Sequence, residues 1–320
     1  MSFLAILAAL GLEQWRAFAW RTGIERFYAR QARRIERDFN GGTVGHGAVA
    51  TAIAVVPAVA LAALVAWALD TLHPAAGWAF DVAVLYALMG FRRFSHAVSA
   101  IVAAFKDGDL VAARRALAAW RGGTTEAMSS SDVSRLAIER GLEDAYRQVF
   151  AVIFWFVVLP GPAGAVLYRA TARLAGEWSG PRPGGDSTPI AREREAFGRA
   201  ARALLAVLDW IPARLTALSF AVVGDFEDAV ACWRTQAAGW PRDEGAVASG
   251  TVLASGAGAL GVLLGGPIGV PGEEPIWRPE IGLGEPAEPE LLPSAVGLAW
   301  RALVLWLAVI LLVTVANLVP

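Results

Sequence analysis

Three groups of residues in this sequence could do chemistry, and each has a plainer reading beside it. Gly256, Gly258, Gly261, Gly265 and Gly266 crowd into SGAGALGVLLGGP. Successive backbone N–H groups in such a run can form a nest that cradles phosphate, or the glycines can serve tight turns and close packing. No lysine follows, so the run is not a P-loop, and no strand-to-helix context supports a dinucleotide fingerprint. Asp209 and Arg214 stand inside the apolar stretch LDWIPARLTAL. An ionisable residue in a membrane segment is costly and usually faces a bundle interior or a cavity. Five residues apart, the two are badly spaced for a direct helical pair, and Pro212 between them predicts a broken, bent helix. The element either lines a polar pocket or sits at the interface with both charges as anchors. Glu139 and Glu143, with Asp144 beside them, stand four apart in VSRLAIERGLEDAY and so share one helix face. Such a face is either a solvated surface or a working one.

The elements that must position these groups are set by hydropathy. Apolar residues make up 56% of the 320, charged residues 18%, and the mean hydropathy is +0.48. Soluble domains are less apolar and carry about 25% charge, so the balance is that of an integral membrane protein. Thirteen tryptophans fit aromatic belts at the membrane surfaces. The net charge of −1 gives no general basic character, which argues against a nucleic-acid partner. His46, His73 and His96 show no ligand spacing, and the lone Cys232 excludes an internal disulfide and a thiolate metal cluster.

The clearest span is 47–69, which carries no charge and has Pro57 as a tolerated kink. Residues 75–91 return as the second arm of a hairpin, and 295–318 form a last confident span. The N-terminus lacks the basic region and cleavage site of a secretory signal, so 2–20 reads as an uncleaved apolar segment. Residues 148–172 read as a re-entrant pair broken at 160–162, because a full crossing would put the six arginines of 173–202 on the far side. The arginine-rich flanks, seven in 16–37 alone, place 92–147 on the cytoplasmic side as a helical insert, with SSSD at 129–132 capping one helix. Residues 176–189 read as a loop, 196–223 as an amphipathic helix and 241–294 as an acidic Gly/Pro-rich loop. The whole is an all-α, polytopic membrane bundle with one broken segment.

GDLVAARRAL, LAIERGLED, PGPAGAVLYRA, LDWIPARLTAL and GAGALGVLLGGP occur in the order and approximate spacing of the CobD/CbiB membrane proteins of cobalamin biosynthesis. The chain resembles that family from about residue 85 to 310. The resemblance implies an enzyme that amidates adenosylcobyric acid with an aminopropanol or its phosphate, using ATP and Mg2+ in the bacterial inner membrane. It implies Glu139 and Glu143 as Mg2+ ligands, with Asp144 in support. Arg214 and the five glycines would bind phosphate, and Asp209 would orient a substrate group. The sequence also departs from the family pattern. Asp144 stands for an asparagine, Arg147-Gln148 for an Asp-Gly, and Leu205 and Ala206 for paired aspartates, so several oxygen ligands are lost. A second resemblance, in FLAILAALGLEQW and LDWIPARL, is to AmpE, an inner-membrane relative linked to signalling. It implies a non-enzymatic role through membrane or cytoplasmic protein partners.

Overall fold

A computed structural model describes residues 2–15, 21–159, 161–178, 189–240, 247–268 and 277–317. The expected loop at 176–189 lies largely outside these residues, as do Arg16, Pro160 and parts of 241–294. The fold is all-α apart from one small sheet, and the protein is a polytopic membrane protein. Four helical stretches are long and apolar enough to cross a bilayer: Val44–Leu72, Pro74–Lys106, Ala191–Val223 and Pro289–Ala316. Their outward residues, such as Leu61, Leu64, Trp67, Val304 and Leu312, are large, apolar and exposed, as lipid-facing side chains should be. The expected 2–20 segment is represented by a 14-residue helix, too short to span by itself.

The chain forms two compact units, one of Met1–Met89 and Ala151–Pro212, the other of Gly90–Phe150, Ala213–Pro241 and Val247–Pro320. In the first, α1 (Ser2–Trp15) packs on α4 (Pro74–Leu88), and α2 (Arg21–Phe39) packs on α3 (Val44–Leu72). His73 ends α3 and starts α4, its ring accepting from the Ala75 N–H, so the expected hairpin turns on a single residue. The second unit begins with α5 (Phe91–Lys106) and α6 (Leu110–Arg121), the latter capped by Asp109. Next comes α7 (Ser130–Ala145), opened by a capping box in which Ser129 and Asp132 exchange hydrogen bonds. A π-helical turn, Tyr146–Phe150, continues it. Back in the first unit, α8 (Ala151–Val158) packs on α9 (Pro162–Glu177), with Gly161 at φ +62° opening the second arm.

One expectation fails here. α10 (Pro189–Val223) is not broken at Pro212 but runs on as a helix of 35 residues. A proline at 212 cannot donate to the Leu208 carbonyl one turn back. The indole N–H of Trp155 donates to that carbonyl instead, at 3.0 Å, so the break has little reason to open. The helix is apolar on both faces. Val207, Trp210, Ile211, Leu218 and Val222 are exposed, while Asp209, Thr216 and Phe220 are buried. The helix expected as an amphipathic element over 196–223 is thus also long and apolar enough to be a candidate span.

The second unit closes with α11 (Phe226–Gln236), α12 (Val247–Leu260), the strands β1 (Val262–Gly265), β2 (Glu280–Ile281) and β3 (Glu285–Pro286), and α13 (Leu292–Ala316). Strand β1 lies in the middle, antiparallel to β2 and parallel to β3. It packs on α7 and α12. The core of this unit is aromatic: Phe91 meets Trp300 at 4.3 Å between ring centres, and Phe150 meets Phe220 and Trp306.

Candidate functional site

Helix α7 carries Arg135, Glu139 and Glu143 at successive four-residue steps, so they form one stripe, which Arg147 follows in the π-helical turn. At its lower end, Arg135 donates to the carboxylate of Asp132 at 2.9 Å, to the Pro267 carbonyl at 2.8 Å and to the Gly265 carbonyl. One turn on, Glu139 takes the Gly265 N–H at 2.8 Å and a two-pronged bond from Arg278, at 2.7 and 3.0 Å. Both side chains of that pair are nearly buried. Such a parallel guanidinium–carboxylate contact is among the strongest polar pairings available in a protein. Arg278 also lies over the Trp240 ring, 5.2 Å from its centre.

The glycine run divides here. Gly256 and Gly258 sit inside α12, where a side chain on Gly256 would meet Leu142 at 2.7 Å. Their N–H groups belong to the helix and form no nest. Gly261, Gly265 and Gly266 have φ of +64°, +80° and +72°, which only glycine adopts cheaply. A side chain on Gly265 would also run into the Pro279 carbonyl. The N–H groups of this turn are engaged within the protein: Gly261 with Gly258, Gly265 with Glu139 and Gly266 with Pro279.

Glu143 stands one turn beyond Glu139. Desolvation by burial pushes its carboxyl pKa up, against the nearby Arg147 and Arg140 guanidinium groups and a hydrogen bond from Ser249. Arg147 itself donates to the Ser249 hydroxyl at 3.2 Å. Asp144 faces elsewhere, accepting from the Trp120 indole at 3.0 Å and pairing with Arg140 at 3.3 Å. Arg214 is half-buried on α10, just beyond Pro212. Asp209 belongs to the first unit, where it is buried and accepts the Tyr168 hydroxyl at 2.9 Å.

Magnesium needs oxygens that are open to it, one or two from carboxylates and the others from phosphate and water. Both oxygens of Glu139 are occupied by Arg278 and Gly265, and Asp144 is held by Trp120 and Arg140. Among the described residues, no three of His, Cys, Asp and Glu come together as a metal site. As they stand, Glu139 and Asp144 are engaged by donors of the protein and offer no open oxygen to a resident Mg2+.

Arg135, Arg278 and Trp240 complete the arrangement, and motif reading missed them. The available signal was charge: Arg278 is one of three arginines among the eleven acids of 224–294.

The family model described as CobD/Cbib protein matches residues 10–299. This chain belongs to the CobD/CbiB family. It is 36% identical over 314 residues to the cobalamin biosynthesis protein CobD of Stutzerimonas stutzeri, covering 97% of each chain. It is 37% identical over 265 residues to the protein of that name from Chromobacterium violaceum, covering 82% of this chain and 78% of the relative. The cobalamin biosynthesis protein CbiB of Salmonella typhimurium is 27% identical over 227 residues. No solved structure matches. These relatives give the AmpE-like reading no support. Within the CobD/CbiB frame, Glu139 and Glu143 fall in the LAIERGLED block and Gly265, one partner of Glu139, falls in the glycine block, so the two motifs meet in space.

Proposed function

We propose that this chain acts in cobalamin biosynthesis in the bacterial inner membrane, joining the carboxyl group of adenosylcobyric acid to the amine of an aminopropanol or its phosphate. The observation that carries the reading is the end-to-end match, over 97% of both chains, to a protein named for cobalamin biosynthesis. The α7 stripe supplies residue types that suit the chemistry.

An amine attacks a carbonyl carbon only as the free base, so amide formation needs a group that takes a proton from the incoming ammonium. Glu143 is assigned that role, because burial raises its pKa and makes it a stronger base than an exposed carboxylate. Arg135 and Arg278 are positioning residues, their guanidinium groups engaged by Asp132, Glu139 and the carbonyls of the glycine turn. Glu139 is a positioning residue that fixes Arg278 and the glycine turn. Arg214 is assigned to phosphate, while Asp209, buried in the first unit and bonded to Tyr168, receives no role at the α7 stripe. ATP, with Mg2+, would phosphorylate the substrate carboxyl, so that the amine forms the C–N bond as the carbonyl C–O bond breaks and phosphate leaves; Glu139 and Asp144 are already engaged and are not assigned to the metal.

The test is a product assay on the detergent-purified protein with adenosylcobyric acid, aminopropanol phosphate, ATP and Mg2+, read by mass spectrometry. The expected result is the amide, formed about 10²–10⁴ times more slowly by Glu143→Gln, the usual worth of a general base. No product from this chain, beside an active CobD relative under the same conditions, overturns the reading.

A further inference from the structure

Phe27 and Gln31 of α2 line two adjoining hollows of the first unit at once. One is an open groove of about 900 Å3, lined by Arg30, Arg33, Arg34 and Arg37 of α2 and by Arg194 of α10. Glu36 is the single acid among its lining residues, and it is engaged with Arg194 at 2.6 Å. Arg33 pairs with Glu177 at 3.7 Å, so the groove's net positive charge is that of Arg30, Arg34 and Arg37. The other hollow, about 340 Å3, is an apolar slot whose walls include Ile53, Pro57 and Ala58 of α3 and Leu174 of α9.

Tyr28 links the two in chemistry. It lines the slot, yet its hydroxyl is buried and meets no hydrogen-bond partner among the described residues. A buried hydroxyl without a partner is costly, so an acceptor brought by a ligand would be welcome there.

The membrane geometry says what kind of ligand. Helix α3 has 29 residues and is about 43 Å long, against about 30 Å of hydrocarbon. Its polar groups at Asp70 and Thr71 mark one end, so the excess length falls at the Val44 end, beside α2. Counted back from Leu69, the last residue before Asp70, twenty residues reach Ala50. The slot at Ile53–Ala58 then lies in the outer part of the hydrocarbon, and the arginine groove extends from it towards headgroup level.

We propose that the two hollows form one site for an anionic phospholipid. The phosphate sits among Arg30, Arg34 and Arg37, an ester carbonyl accepts from the Tyr28 hydroxyl, and one acyl chain enters the slot beside Pro57. A free phosphate would use the groove alone and leave the slot and Tyr28 unexplained.

The test is native mass spectrometry of the delipidated full chain titrated with dioleoyl phosphatidylglycerol, dioleoyl phosphatidylcholine and glycerol 3-phosphate. The anionic lipid is expected to bind at least about tenfold more tightly than the zwitterionic one, with each of Arg34→Gln and Arg37→Gln costing about fivefold. Ala58→Leu, which narrows the slot, is expected to weaken the lipid and leave glycerol 3-phosphate unchanged. Tyr28→Phe gives a second probe of the slot should Ala58→Leu fail to fold, as judged by its melting temperature. Equal binding of the two lipids overturns the proposal. So does glycerol 3-phosphate binding as tightly as the anionic lipid, which would make the groove a free-phosphate site.

Discussion

Helices α2 and α7 differ in how their arginines are balanced: α2 carries six, and α7 carries two, each paired with an acid. On α7 and its surroundings the arginines are matched with acids: Arg135 meets Asp132, Arg140 meets Asp144, and Arg278 meets Glu139. The charge is balanced and half-buried, and it ties the glycine turn to the helix. Four arginines of α2 and Arg194 of α10 line an open groove, where Arg194 meets Glu36 and Arg33 meets Glu177, leaving an excess of three. A balanced cluster mostly fixes the protein to itself, because every charge removed leaves a partner stranded. An unbalanced one at the surface costs the fold little and keeps its field for something outside the protein.

The contrast can be broken most easily at Arg278. Arg278→Ala leaves the Glu139 carboxylate buried without its guanidinium and is expected to destabilise the second unit by about 3–5 kcal/mol. Thermal or denaturant unfolding in detergent checks this, and a change near zero would mean that water reaches Glu139. Arg278→Lys should recover only part of the loss, since an ammonium cannot make the two-pronged bond.

Glu143 should give a smaller effect with a distinctive pH signature. Its carboxyl pKa is raised from the ordinary 4.5, so the folded state holds the proton more tightly than the unfolded chain. The stabilisation is complete below 4.5 and is lost as pH rises through the raised value. Unfolding free energy should therefore fall with rising pH in that window, by at most about 1.4 kcal/mol per pH unit for one proton. Glu143→Gln should flatten that slope. A slope that persists in the variant would assign the titration to another group.

On α2 the expected effect on stability is the smallest. Arg34→Gln should stay within about 0.5 kcal/mol of the parent, as a surface change away from any buried network does. A loss as large as that of Arg278→Ala would make the groove a structural cluster like α7 and remove the contrast.

Much of this arrangement can be read in the chain itself. The i,i+4 spacing of Glu139 and Glu143 fixes their shared face once α7 is a helix, and the Ser129–Asp132 box that starts that helix is local. The glycines at 261, 265 and 266 announce positive φ, though not whether their N–H groups face phosphate or protein. Pro212 signals a broken helix, yet α10 continues, because the indole that answers the freed carbonyl comes from residue 155. The sheet escapes notice because its strands are four, two and two residues long, too short for any period to show.

What the sequence by itself determined is therefore the membrane class, the main spans, the helix that carries the acids and the family, since all of these rest on hydropathy, short-range spacing and ordered motifs. What only the tertiary structure decided is the state of each charge. Glu139 meets Arg278 across 139 positions of chain and Asp209 meets Tyr168 across 41, and no local pattern predicts such pairs. A buried carboxylate must find a donor somewhere, and which one it finds depends on how the helices pack.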